Sequence, residues 1–382
     1  MWKQALIIPI IVVAVLGAGC LGGFLQPPIV PPAITPIEGA SLDRVPVYTF
    51  PFEDGEERIG IDPDPAVYAG AKEADRKLYL SINLSKEEWV PIYYRAFIDD
   101  PCLEPFYADL LAAFREIRDR KGLDGDRYLE LVTAFVQSIP YSTDTSIVEP
   151  KFPIETYVDG LGDCDDKSLL LAGLLAREGY AVALFYFEDE AHMAVGVKSN
   201  GNLYRETGYA YIETTNASYV GIPPDKLADG TILTTDPLVI PIGDGQRIYT
   251  ASGEIEMIER ALAASRDRAE DLSSELVECF SDLEVQRETL KSLDARLAEL
   301  AQSGKFQEYN RLVWRYNEKA HEYNDAVEKY NALLEESEAV INLHNHLVTH
   351  THDRPGSYLH ARAYLEGNSD AHPVQESRSQ TM

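Results

Sequence analysis

A hydrophobic repeat in the last third of this 382-residue chain constrains its fold most strongly. Alternating steps of three and four from Ile255 land on Ile258, Leu262, Ser265, Ala269, Leu272, Leu276, Cys279, Leu283, Gln286, Leu290, Leu293, Leu297 and Leu300. Of those fourteen positions only Ser265 and Gln286 are neither apolar nor cysteine. A 3.5-residue period held over more than six heptads belongs to a helix lying against another helix. "AQSGK" (301–305) interrupts it, and the repeat resumes at Tyr309, Val313, Tyr316, Ala320, Tyr323, Val327, Tyr330 and Leu334, with an asparagine after each tyrosine. Two arms joined at Ser303-Gly304 predict an antiparallel helical hairpin over 254–350, each arm on the order of 60 Å at 1.5 Å per residue. Tyrosines at heptad spacing read as packing residues with the hydroxyl at the rim. The arm offers a surface for a partner or for self-association.

The rest of the chain must supply a core, and with 45% apolar residues it has the material. The length suggests more than one compact unit. The net charge of −29 excludes a nucleic-acid binder, which needs a basic surface. Two amphipathic helices are predicted at 106–122 and 126–141, with a glycine-containing turn between them. A buried-strand run follows at 180–187. "AHMAVGVKSNGNLYRET" then places Asn200-Gly201 between two extended segments, a hairpin signal, and "YAYIETT" (209–215) reads as a further strand. Helices followed by antiparallel strands make an α+β fold. Residues 46–100 mix turns with a helix at 65–77 and a strand-like "KLYLSINLS", and suggest no function.

The N-terminus carries an uncharged stretch, "ALIIPIIVVAVLGAGCLGGFL" (5–25), long enough for a bilayer of about 30 Å. It also reads as a signal peptide whose "VLGAGC" resembles a lipoprotein lipobox, with Cys20 as the lipidated residue. Gly17 departs from that pattern. Either form gives a membrane-anchored chain with its bulk extracytoplasmic, since Lys3 stays inside. Sequons at Asn83 and Asn216 agree with export. The proline-rich segment within 26–45 reads as a stiff spacer.

Four cysteines, Cys20, Cys102, Cys164 and Cys279, are too few for a disulfide framework. Cys279 falls on the seam as a buried thiol, with Cys102 or a second chain as alternative bonding partners. Cys164 opens the stretch "CDDKSLLLAGLL". Gly160 and Gly162 free the backbone before it, Asp163 can cap, and Asp166 completes a capping box. The thiol then sits in the first turn of a helix, where free N–H groups favour a thiolate and can hold an oxyanion. Asp165 and Asp166 oppose the thiolate, so a basic partner is needed. His192, the sole histidine before residue 320, stands at a predicted strand start, and Glu213 on another strand can orient it. The bland alternative is a buried cysteine at a helix start with an unrelated histidine nearby.

"GDCDDKSLLLAGLLAREGY", "HMAVGV" and "YIETT", with the lead-in "FVQSIPYSTD", resemble the transglutaminase-like core of the papain-like superfamily over about residues 125–220. The resemblance implies a papain-like core within 46–250 and a triad of Cys164 as nucleophile, His192 as base and Glu213 where the family usually has Asp. It implies acyl transfer on a protein or peptide substrate, with hydrolysis or glutamine–lysine crosslinking as outcomes. The oxyanion tryptophan has no counterpart: Trp89 is distant in sequence, and Gln137 is the substitute at hand. No cofactor is required, although Ca²⁺ at Asp163, Asp165 and Asp166 has a parallel in such proteins. A protein that keeps this fold for binding alone is the non-enzymatic alternative.

"LHNHLVTHTHDRPGSYLH" gathers His344, His346, His350, His352 and His360. His346 and His350 share a helix face at i, i+4 and are Zn²⁺ candidates. Residues 351–382 read as a polar tail, disordered from 367.

Overall fold

The computed structural model describes residues 29–142, 149–227 and 230–369. The fold is α+β, with antiparallel sheets and long C-terminal helices. The helices α1 (Pro65–Lys72), α2 (Lys86–Ile98), α3 (Glu104–Lys121), α4 (Gly125–Ser138), α5 (Pro153–Asp159) and α6 (Cys164–Arg177) precede the main sheet. That sheet has four antiparallel strands, β5 (Val182–Phe187), β6 (His192–Lys198), β7 (Tyr209–Ile212) and β8 (Leu238–Ile242), in the order β7-β6-β5-β8. Two small antiparallel pairs, β1 (Ile29–Val30) with β4 (Tyr79–Leu80) and β2 (Tyr48–Phe52) with β3 (Gly55–Ile59), lie before it in the chain.

The sheet buries both faces. Val182 and Leu184 of β5 and Met193, Val195 and Val197 of β6 join the leucines of α6 in the main core. Ala183, Phe185 and Phe187 of β5 and Ala194 of β6 face the other way, into an aromatic cluster with Tyr204, Tyr209 and Tyr211. This alternation is the period-2 geometry of a strand. At Gly196 any Cβ would lie 2.5 Å from the Phe185 ring, so that ring packs directly on strand backbone.

The capping box at the head of α6 forms: the Asp163 carboxylate accepts the Asp166 N–H at 3.1 Å, and the Asp166 carboxylate accepts the Asp163 N–H at 3.3 Å. At the far end of the chain α7 (Ser252–Gln302) and α8 (Phe306–Thr349) form the antiparallel hairpin, turning at Gly304 with φ +68°. With 51 and 44 residues, the arms are about 75 and 65 Å long. Leu272, Cys279, Leu333 and Val340 form the seam's buried core, and Tyr309, Tyr316, Tyr323 and Tyr330 are half-buried along it.

Several expectations need correction. The membrane-anchored assignment finds no support: among the described residues no helix is long and apolar enough to cross a membrane, and segment 5–25 and Cys20, on which the assignment rested, lie outside those residues. The proline-rich segment is no free spacer, because Ile34 is buried and its N–H donates to Asp100 Oδ2 at 2.7 Å. Asn200-Gly201 is not a two-residue turn: β6 and β7 pair from Lys198 to Tyr209 across a ten-residue connection. Asn200 instead accepts a hydrogen bond from Ser252 at the start of α7. The strand at 209–215 stops at Ile212, leaving Glu213 just beyond it. Cys279 is the buried seam thiol expected, and the alternative bond to Cys102 is not made: Cys102 points toward the Ile34 carbonyl and Cys279 toward that of Ala326. The tail is ordered as α9 (Arg354–Ser369), packed on α7; residues 370–382 are not described.

Candidate active site

The N-terminal turn of α6 meets the sheet where β6 begins. Ser168, one turn into the helix, donates to the Met193 carbonyl at 3.2 Å and meets the Thr214 hydroxyl at 3.0 Å. These contacts fix α6 across β6 and the chain just after β7. Cys164 is buried at the helix tip, with its sulfur 3.4 Å from Asp165 Oδ1 and near the Met193 N–H. Burial, then the Asp165 and Asp163 charges, push the thiol pKa well above its usual range, and the Met193 N–H opposes this only partly. The helix-terminal field that should favour a thiolate is outweighed.

His192 is buried and begins β6. Its ring turns toward the aromatic face, 6.1 Å from Phe187. Nε2 lies 3.2 Å from the Tyr211 hydroxyl and 3.5 Å from Glu213 Oε2. Tyr211 donates to the same Oε2 at 2.9 Å. Since the phenol spends its proton on the carboxylate, its oxygen accepts from an Nε2–H, and the lone pair of the neutral imidazole falls on Nδ1. Glu213 Oε1 takes the N–H groups of Thr214 and Thr215 at 3.0 and 2.8 Å and the Thr215 hydroxyl at 2.6 Å. Burial disfavours the Glu213 charge, but His192 and Thr215 outweigh it and hold the pKa at about 2.

The three sequence-nominated residues therefore gather at one end of the sheet, yet among the described residues no hydrogen bond joins the Cys164 sulfur to the His192 ring. Strand parity gives the reason. Met193 faces α6, so its neighbour His192 faces the opposite way, and the sulfur reaches the strand at Met193. Tyr211 was missed by sequence reasoning; its i, i+2 spacing to Glu213, which puts both on one strand face, is the signal that could have found it.

The remaining nominees have structural employment. Gln137 donates to the carbonyls of Glu213 (2.8 Å) and Ser218 (3.0 Å), so its amide clamps the loop after β7 and holds no oxyanion. Trp89, on α2, packs edge-on to Tyr93. The same helix sends the Tyr94 hydroxyl to Asp165 Oδ2 at 3.4 Å. Asp166 caps α6 and accepts the Lys151 N–H at 2.7 Å. Burial, then the Asp163 charge, raise Asp165 to about 7 and Asp166 to about 6. Ligand atoms of Asp163, Cys164 and Asp165 lie within 4.8 Å of one another, whereas Asp166 is turned into its cap. Lys167, fully buried beside the site, donates to the Gln137 and Ile139 carbonyls at 3.2 and 2.7 Å and closes the C-terminus of α4. His346 and His350 lie far along the chain at the end of α8.

Comparison with protein-family models, curated proteins and solved structures finds no match for this chain.

Proposed function

We propose that the chain is a papain-like, transglutaminase-type cysteine enzyme that hydrolyses peptide or amide bonds through a Cys164 thioester. The observation that carries this reading is the Tyr211–Glu213 pair on Nε2 of His192, which leaves Nδ1 as the basic nitrogen at the strand end that the thiol already touches. A helix tip bearing a thiol, laid on an antiparallel sheet bearing the imidazole, supports the papain-like assignment.

In the proposed reaction the thiol leaves Asp165 and meets Nδ1 around the end of β6, where His192 is the first strand residue, and its proton passes to the imidazole. The sulfur attacks the carbonyl carbon, forming the C–S bond and an oxyanion that the free N–H groups of α6 hold. The C–N bond then breaks, and the imidazolium proton leaves with the amine. Water, deprotonated by His192, attacks the thioester; the C–S bond breaks and the thiol is restored. Glu213 stabilises the imidazolium throughout.

A specific observation also favours a second reading, a non-catalytic binding protein: the sulfur lies 3.4 Å from Asp165 Oδ1, and burial with the Asp165 and Asp163 charges opposes its ionisation. Alkylation by a thiol-reactive peptide probe, with the labelled cysteine located by peptide mapping, separates the two. Rapid labelling at Cys164 that falls sharply in His192→Ala supports the enzyme. Labelling at the same rate with and without His192, and no faster than at Cys102, supports the binding protein. Incorporation of an amine into a glutamine-bearing protein would change the acceptor from water to lysine.

A further inference from the structure

We propose that the corner between α8 and α9 binds one divalent transition-metal ion of the Zn²⁺ class through His346, His350 and His360. The inference is independent of the reaction proposed for Cys164.

His346 and His350 stand one turn apart on α8, with rings stacked at 4.1 Å between centroids. His360 comes from α9, and its ring lies 4.3 Å from that of His346. Imidazoles from two helices therefore flank one central imidazole. The atomic detail favours ligation over stacking alone. Nδ1 of His350 lies 3.0 Å from the His346 carbonyl oxygen, which can only accept. The proton thus sits on Nδ1 and the lone pair on Nε2, the arrangement that metal-bound histidines show. Nε2 of His346 is buried and has no hydrogen-bond partner among the described residues. A buried polar atom without a partner costs stability, and a metal–nitrogen bond removes that cost.

The neighbours define the site's limits. His344 is committed to Ser265, with Nδ1 3.0 Å from the hydroxyl. His352 lies beyond His350 at 5.8 Å, and Asp353 accepts the Gly356 N–H within the first turn of α9. Tetrahedral Zn–N bonds of 2.0–2.1 Å set ligand nitrogens about 3.3 Å apart. Among the described residues only Asp163, Cys164 and Asp165 already fall within 4.8 Å of one another. His346 and His350 are half-buried and His360 is exposed, so the trio closes on an ion chiefly by turning His360, with Nδ1 of His350 kept on the His346 carbonyl. The chain's net charge of −29 favours cation accumulation.

The test uses the full chain after chelator treatment. Co²⁺ titration followed by visible absorption, and Zn²⁺ titration by calorimetry, should show one equivalent bound, with the thermal midpoint rising as free Zn²⁺ rises. His360→Ala changes an exposed residue and should keep the fold while weakening binding at least tenfold. His346→Ala should do the same, and Cys164→Ala should bind as the unaltered chain does. The proposal is overturned if the unaltered chain takes up no ion. It is equally overturned if His360→Ala and His346→Ala bind normally, or if binding disappears with Cys164→Ala.

Discussion

The carboxylate of Glu213 stands 3.5 Å from Nε2 of His192, in a pocket where the carboxylate is 1% exposed and the imidazole 5%. An acid so buried stays ionised only because its oxygens are occupied, one by His192 and Tyr211, the other by Thr214 and Thr215. Under the proposed chemistry, Glu213→Gln should slow probe labelling of Cys164 by on the order of 10²-fold or more, since the imidazolium loses its counter-charge. The folded pKa of about 2 lies below the unfolded value of 4.5. Its stabilisation is thus complete above pH 4.5 and lost as pH falls toward 2. Acid unfolding of Glu213→Gln should be correspondingly flatter across that window.

Asp165 acts in the opposite sense. Burial, followed by the Asp163 charge, lifts its folded pKa to about 7 from 3.8, so folding favours the protonated acid and stability declines as pH rises from 4 to 7. Asp165→Asn should be more stable than the parent at pH 8 by about 1 kcal/mol, a deep discount on 1.4 kcal/mol per pKa unit because the side chain is only half-buried. It should also lower the Cys164 pKa, moving the alkylation pH profile down. An unshifted profile would refute the assigned Asp165–thiol coupling.

Lys167→Met isolates the cap on α4. It strips two carbonyls of their donor inside the core and should cost roughly 2–4 kcal/mol in urea unfolding. Burial lowers the lysine pKa to about 8. Because the folded pKa lies below the unfolded value of 10.5, the unfolded chain holds the proton longer, so the parent gains stability as pH rises from 8 to 10.5 and the penalty of Lys167→Met should grow across that window.

Arg354 makes the corresponding test for α9. Its guanidinium, 7% exposed, donates to Glu130 at 2.5 Å and pairs with Glu254. Burial has already raised Glu130 to about 7 even with this partner present. Arg354→Met should cost roughly 3–5 kcal/mol and open α9 to protease. Glu254→Gln, at the more exposed end of the pair, should cost less than 1 kcal/mol. Equal effects would mean that the buried arm of the pair does not hold α9.

Periodicity made the hairpin legible, because a seam such as Leu272, Leu276, Cys279, Leu283 repeats one physical requirement many times. The capping box at Asp163 and Asp166 was legible for the same local reason. Contacts settled by the third dimension were not. Nothing near Ile34 announces that Asp100 will take its N–H, and Asn200-Gly201 carries a turn signal that its bond to Ser252 overrides. At the site, residue types pointed to Cys164, His192 and Glu213. The face each side chain would take depended on the first paired residue of β6, and strand starts are the least determined feature of a sequence. Gln137 looked like a chemical group and is a clamp.

The bond between Arg354 and Glu130 joins residues 224 positions apart. During synthesis at 5–20 residues per second, α4 waits roughly 10–45 s for that partner. Until then, among the described residues, Tyr249 alone donates to Glu130, and the slot beneath α9 is open. The hairpin, whose arms meet through local contacts, closes sooner once both have emerged, and in closing carries Arg354 back to the core. The long arm therefore serves the nascent chain as a return path that delivers the last-made helix to one of the first.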